Sequence, residues 1–232
     1  MEYVDGGLLN SFLHTEQTKY ELQHVINWAL QIAKGIGYLH DQAVVHRDIS
    51  PRSILLCDKH RYVKIYDFSF VRQLDTIMTS NVGDIAYMAP EVALFFFLFS
   101  INIQLHTTSS VSDRFTITKN TPKNVIFIAL PLPCGKCCHG KSHLKGIPIV
   151  RQYVKQWKRV CNMLIFNSSL YNQCIIIILG ERPSLDELQF HCPDKIQELM
   201  IGCWSPDPDK RASMKDIIVV LNVHQQVFDL SL

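Results

Sequence analysis

The chain has 232 residues and a formal net charge of +2, with 47% apolar and 19% charged residues. That length fits one domain with an appended segment, and the apolar content is enough to bury a core. The near-neutral balance, with no basic tract or acidic tail, argues against a nucleic-acid partner or an anionic membrane surface. Eight cysteines follow no disulfide-framework spacing, and MEYVDGGLLN lacks the basic and apolar regions of a signal peptide. A reducing, cytoplasmic setting is the expectation. The longest apolar runs, ALFFFLF and CIIIIL, are far shorter than the ~20 residues that cross a bilayer.

In chain order, the first predicted element is a helix over 22–40. Val25, Ile26, Ala29, Leu30, Ile32, Ala33, Ile36 and Leu39 recur there at helical spacing. RYVKIYDF at 61–68 alternates like a short strand. Residues 93–179 have a different texture. ALFFFLFSINIQL has neither helical nor strand period, TTSSVSDRFTITKNTPKN has no apolar face, and LPLPCGKCCHGKSHLKG lacks capping or turn logic. Such a stretch is out of place inside a compact domain. Helical periodicity returns in DKIQELMIGCW and SMKDIIVVLNVHQQV, with Pro206 and Pro208 marking the loop between them. Trp28 and Trp204 read as core residues, and His24, His60, His191 and His224 as surface or packed histidines.

Three short stretches carry chemistry. VVHRDISPRSILL at 44–56 is followed by VKIYDFS at 63–69 and YMAPEV at 87–92. This ordered triplet resembles the catalytic loop, metal-binding loop and activation-segment end of a protein kinase. CWSPDPDKRASM at 203–214 is similar to the late segment that supplies an arginine to the activation segment, and MEYVDGGLLNSFLH to the hinge that grips adenine. Within the kinases, these stretches look most like the tyrosine-kinase-like group, and there like the MAP kinase kinase kinases of the transforming-growth-factor-β-activated type. The resemblance covers about 1–92 and 180–225.

It implies an α+β fold, mostly helical: the large lobe of a kinase, with the small lobe absent and the central helix region disrupted. The expectation from the resemblance is that the glycine-rich phosphate cover, the strand lysine and its glutamate partner are missing upstream of the hinge. The expected parts are 1–92 (hinge, catalytic loop and activation segment), 93–179 (irregular) and 180–232 (C-terminal helices). The implied activity is transfer of phosphate from ATP, with magnesium, to serine or threonine hydroxyls of MAP kinase kinases. Phosphoryl transfer is mostly positioning and charge neutralisation. Asp48 matches the base that orients the substrate hydroxyl, and Asp67 the aspartate that holds magnesium. Arg47 matches the partner of an activation-loop phosphate, with Thr76 and Thr79 as candidate phosphosites. Glu2, Tyr3, Val4 and Leu55 match adenine-side positions, His46 and Phe68 an apolar stack, and Glu91 and Arg211 an ion pair.

Departures from the pattern fall at the same site. Ser53 stands where the family has an asparagine, the second metal ligand, and Ser50 where serine/threonine kinases have a lysine. Ser69 replaces the glycine of the metal loop, a residue whose freedom a serine lacks. Asp84 follows Gly83 where threonine or serine is usual. The reading is therefore a kinase family member deficient in transfer, with a pseudokinase or truncated signalling module as the alternative.

CGKCCHGKSH at 134–143 raises a third reading, a zinc-binding insertion. Cys134 and Cys137 have the spacing of one ligand pair, and His139 and His143 of another, but no loop separates the pairs to close around the ion. A shifted reading frame accounts for the stretch better. Read from the third base of the Asn120 codon, Asn120-Thr121 allows tyrosine, Pro122-Lys123 glutamate, Cys134-Gly135 tryptophan, and Cys137-Cys138 forces leucine. Every step is compatible with YTEKCDIYSFAIALWEVLSRKKPFKG, the family's buried central helix and the turn after it. ALFFFLFSINIQL has the codons expected before a splice acceptor, and deleting 163–179 restores a family-like join. Residues 93–119 and 163–179 therefore read as untranslated sequence, and without the central helix the expected product is marginally stable.

Overall fold

The structure, a computed structural model, describes residues 4–15, 20–73, 83–93, 177, 180, 185, 191–205 and 207–229. The irregular stretch 94–176, with its cysteine and histidine cluster, lies outside the described residues. So do Glu2, Tyr3, Thr76 and Thr79.

Helix α1 (Leu9–Leu13) is one short turn. The long helix α2 (Leu22–Asp41) opens on a reciprocal cap: the Glu21 side chain accepts the backbone N–H of His24, and the Glu21 N–H donates to His24 Nδ1 at 3.2 Å. Its buried face is the predicted one, with Ile26, Ala29, Leu30, Ile32, Ala33 and Ile36 all shielded. Val44–Val45 (β1) follows. Next come β2 (Ile54–Cys57), β3 (Tyr62–Ile65) and β4 (Arg72–Gln73). These make two small antiparallel ladders, β2 with β3 (Ile54 opposite Ile65) and β1 with β4 (Val45 opposite Arg72). Helices α3 (Asp194–Cys203) and α4 (Met214–Asp229) complete the described chain.

One core joins the distant parts. Trp28, Ala33 and Ile36 of α2 share a buried cluster with Leu56 of β2, Met200 and Cys203 of α3, and Ile217 and Leu221 of α4. The segments on either side of 94–176 thus bury apolar surface against each other. Ile201, Val219 and Val223 on α3 and α4 stay exposed.

Polar side chains fix α2 to the β2–β3 turn. Asn27 and Gln31 donate to the Arg61 carbonyl at 2.8 and 2.9 Å, and Gln31 Oε1 accepts the Val63 N–H at 3.0 Å. The edge strand β3 is thereby supplied with an acceptor that no neighbouring strand among the described residues provides. On the other side of β2 lies the stretch after Val4. Gly6 N–H donates to the Leu56 carbonyl at 3.0 Å, and Leu56 N–H to the Gly7 carbonyl at 2.8 Å. A Cβ on Gly6 would sit 2.5 Å from that Leu56 oxygen, so only glycine allows the approach.

Candidate active site

The catalytic loop runs from β1 to β2, and the metal loop from β3 to β4. Because Val45 pairs with Arg72 and Ile54 with Ile65, both loops join the same end of one ladder to the same end of the other. Three further hydrogen bonds hold them together. Tyr66 N–H donates to the Ser53 carbonyl at 3.0 Å, His46 Nε2 meets the Tyr66 carbonyl at 3.0 Å, and Arg47 Nε donates to the Phe70 carbonyl.

His46 is the hub of this junction. It is 2% exposed, and its ring meets that of Phe68 edge-on with centroids 5.0 Å apart. Asp48 N–H points at His46 Nδ1 at 3.4 Å. A backbone N–H can only donate, so Nδ1 accepts and the ring hydrogen sits on Nε2, directed to Tyr66. Burial holds the His46 pKa below the ordinary histidine value, against the opposing pull of the Tyr66 carbonyl and of Asp48 and Asp67. The neutral ring is the form this network requires.

Three residues here have left-handed backbone: Arg47 at φ 71°, Asp67 at φ 61° and Gly83 at φ 99°. For the two non-glycine residues this is strain, of the kind that collects at functional sites. Gly83 has a second constraint: a Cβ there would lie 2.7 Å from the Arg47 carbonyl oxygen. That contact seats the activation-segment end on the catalytic loop. The next residue completes the seat, with Asp84 N–H donating to Asp48 Oδ1 at 3.2 Å. The Asp84 carboxylate caps the following turn through Ala86 N–H (3.1 Å) and stands 3.9 Å from the exposed Arg52 guanidinium.

The two serines of the catalytic loop face inward. Ser50 is 5% and Ser53 2% exposed. Ser50 N–H donates to Ser53 Oγ and the Ser53 hydroxyl donates to the Ser50 carbonyl, both at 3.0 Å. Ser50 Oγ in turn accepts the Arg52 N–H at 3.3 Å. In the metal loop, the Ser69 hydroxyl and N–H both donate to Asp67 Oδ1, at 2.5 and 3.4 Å. These bonds hold the exposed Asp67 carboxyl below its ordinary pKa, the hydroxyl contributing most. The exposed, ionised Asp67 carboxylate is of the right chemistry to ligate a divalent cation. Ser53, buried and bonded within its own loop, does not fit as a ligand for another.

Farther from the loops, Arg211 forms a two-pronged ion pair with Glu91, Nη1 and Nη2 each 2.8 Å from a carboxylate oxygen. The Arg211 side chain is 2% exposed and also donates through Nε to the Ser205 carbonyl at 2.8 Å. Val4 and Leu55 are half-buried. The Leu8–Leu55 bridge brings the stretch after Val4 alongside β2, next to the catalytic loop.

Sequence reasoning missed Arg72 and Tyr66. Burial, and to a lesser extent the like charge of Arg72 on β4, lowers the Arg47 pKa. Tyr66 acts through its backbone, which no residue type announces. Arg72 could have been found from its place on the strand after the metal loop, opposite Val45.

Cys192 and Cys203 are buried free thiols, the latter pushed up to about 11 by burial, which makes it a poor nucleophile or metal ligand. Among the described residues, no helix is long and apolar enough to cross a membrane, and no group of three His, Cys, Asp or Glu residues is placed to hold a metal ion.

The paired loops, the left-handed aspartate and the Glu91–Arg211 clamp are the arrangement of a protein kinase. A family model for the protein kinase domain matches residues 1–118, and the chain belongs to the protein kinase family. Its relatives within the family include proteins named mitogen-activated protein kinase kinase kinase 7. The chain is 34% identical over 226 residues to the one from Drosophila melanogaster, an alignment covering 96% of this chain and 26% of the relative. It is 29% identical over 234 residues to the Homo sapiens protein, covering 95% and 30%. A probable serine/threonine-protein kinase of Dictyostelium discoideum is 41% identical over 223 residues, covering 95% of this chain and 19% of that protein. The chain thus spans well under half the length of these curated relatives.

Proposed function

We propose that the chain is a large-lobe part of a serine/threonine protein kinase of the MAP kinase kinase kinase kind, deficient in phosphoryl transfer. The observation that carries this is the junction of the catalytic and metal loops, with Asp48 and Asp67 supported by His46 and Tyr66, together with the inward turn of Ser50. A kinase of this family uses ATP and magnesium and acts on a protein hydroxyl, here one of a MAP kinase kinase in the cytoplasm. In such a site Asp48 accepts the hydroxyl proton and orients the oxygen, and Val4 and Leu55 border the adenine. Asp67 would hold the magnesium that accompanies the phosphates and neutralises their charge. Arg47, with Arg72 beside it, would receive a phosphate on Thr76 or Thr79. The position that usually bears a lysine is Ser50, whose hydroxyl caps its own turn. No cation at that position neutralises the transferred phosphate, which is why transfer is deficient.

The test is transfer of labelled phosphate from ATP to a MAP kinase kinase by the full chain. Transfer no greater than that of Asp48→Asn is expected, and a clear gain in Ser50→Lys. Robust wild-type transfer that disappears in Asp67→Asn would show a working kinase instead. The second reading, a signalling module that engages pathway proteins without transfer, is favoured by the Ser50–Ser53 closure.

The same reading extends to 93–179, which we take as mistranslated or intron-derived sequence in place of the central helix. Sequencing the transcript across codons 90–185 is expected to show a message that lacks the two apolar inserts and encodes WEVL. A mature message encoding the sequence as it stands would sink that part.

A further inference from the structure

We propose that the nucleotide site of this chain is built for a single divalent cation, held by Asp67, and that the place of a second is closed by the serine pair of the catalytic loop. This rests on reading the site as one for ATP.

The two loops supply the argument separately. A serine hydroxyl has one hydrogen and two lone pairs. At Ser53 the hydrogen goes to the Ser50 carbonyl and one lone pair to the Ser50 N–H. The remaining lone pair belongs to a side chain 2% exposed. The Ser53 N–H is also committed, to the same Ser50 carbonyl at 2.9 Å. Magnesium demands oxygens at about 2.0–2.1 Å in octahedral array and gives up its waters reluctantly. Bringing the Ser53 oxygen to such an ion would break both bonds and open the turn at Pro51–Ser53.

On the opposite loop, the exposed Asp67 carboxylate has its two oxygens in different states. Oδ1 accepts two hydrogen bonds from Ser69, whereas Oδ2 accepts none among the described residues. A carboxylate that bridges two ions with one oxygen on each needs both oxygens free. Asp67 offers one, and Ser69, in the place of a glycine, is the residue that takes the other. No cluster of three acidic, histidine or cysteine side chains stands in for the missing ligand among the described residues.

The test counts ions rather than turnover. Manganese, which takes magnesium sites and is visible by electron paramagnetic resonance, is titrated into the full chain saturated with a non-hydrolysable ATP analogue. One manganese per chain is expected, with affinity at least tenfold weaker in Asp67→Asn. Ser53→Ala should still hold one, because its hydroxyl is not a ligand, and the double variant Ser53→Asn with Ser69→Gly, which frees both the catalytic loop and Asp67 Oδ1, should hold two. Two ions in the wild type, loss of the ion in Ser53→Ala, or a count that stays at one in Ser53→Asn with Ser69→Gly would each overturn the inference while leaving a nucleotide site. No nucleotide-dependent ion at all would overturn the ATP reading with it.

Discussion

Replacing Trp28 by alanine is expected to lower stability by about 3–5 kcal/mol, the range for deleting a large aromatic side chain from a core. The indole is completely buried. The ring of Phe12 meets it edge-on at 5.5 Å, and Tyr20 and His24 lie tilted against it at 6.0 Å. The indole is also a polar anchor, since Nε1–H donates to the His60 carbonyl at 2.6 Å. That bond ties α2 to the β2–β3 turn beside those of Asn27 and Gln31. Trp28→Ala therefore opens a cavity and removes the donor together. Trp28→Phe retains a ring and loses the donor, so a smaller change of about 1–3 kcal/mol is expected. Urea unfolding of the wild type and both variants checks the order. Equal losses in the two would mean that the ring volume contributes nothing beyond the hydrogen bond.

Removing the charge from Glu91 is the second large perturbation. Glu91→Gln keeps the shape and leaves the Arg211 guanidinium buried, with the Ser205 carbonyl still accepting from its Nε. Breaking one side of a buried pair costs about 3–5 kcal/mol. The Glu91 side chain is 34% exposed, which places the expectation near the lower end, about 3 kcal/mol. For a chain of this size that corresponds to a fall in Tm of roughly 6–12 °C. The double variant Glu91→Leu with Arg211→Met should recover most of the loss, because two apolar residues leave no charge unpaired. Thermal melts of the single and double variants decide this. A double variant no better than the single would show that the clamp depends on its charges for more than mutual neutralisation.

Much of this architecture is legible in the sequence, because it rests on repeated local signals. Helix α2 shows its apolar stripe from Val25 to Leu39, and the structure carries the helix on to Asp41. DKIQELMIGCW and SMKDIIVVLNVHQQV form α3 and α4, and the alternation in RYVKIYDF marks β3. Trp28 and Trp204 are both buried. The partnership of Glu91 and Arg211 follows from matching motifs, since no local pattern connects residues so far apart. What stays hidden in the sequence are bonds made by backbone or by small polar side chains. By residue type alone, Ser50 and Ser53 are weaker substitutes for a lysine and an asparagine. Their reciprocal bonding depends on the loop's curvature, which one-dimensional spacing does not carry. Ser69 by type only stiffens its loop, but in the fold its hydroxyl acts on the Asp67 carboxylate. Asp84 departs from the family pattern in its side chain, yet its contribution to Asp48 is a main-chain N–H, which any residue but proline can offer.

The Glu91–Arg211 pair joins points 120 residues apart in the chain, and that separation has a consequence for how the two halves find each other. The entropy lost in closing a loop grows only as the logarithm of its length, about 0.6 kcal/mol for each doubling. Excising 93–119 and 163–179 from the unfolded chain would alter that closure cost by about 0.4 kcal/mol. Searching for the contact is thus nearly as easy with the two apolar stretches present as without them. Polymer statistics set little penalty on insertions between these anchor points, and the meeting of α2 with α4 is governed by the surfaces that meet.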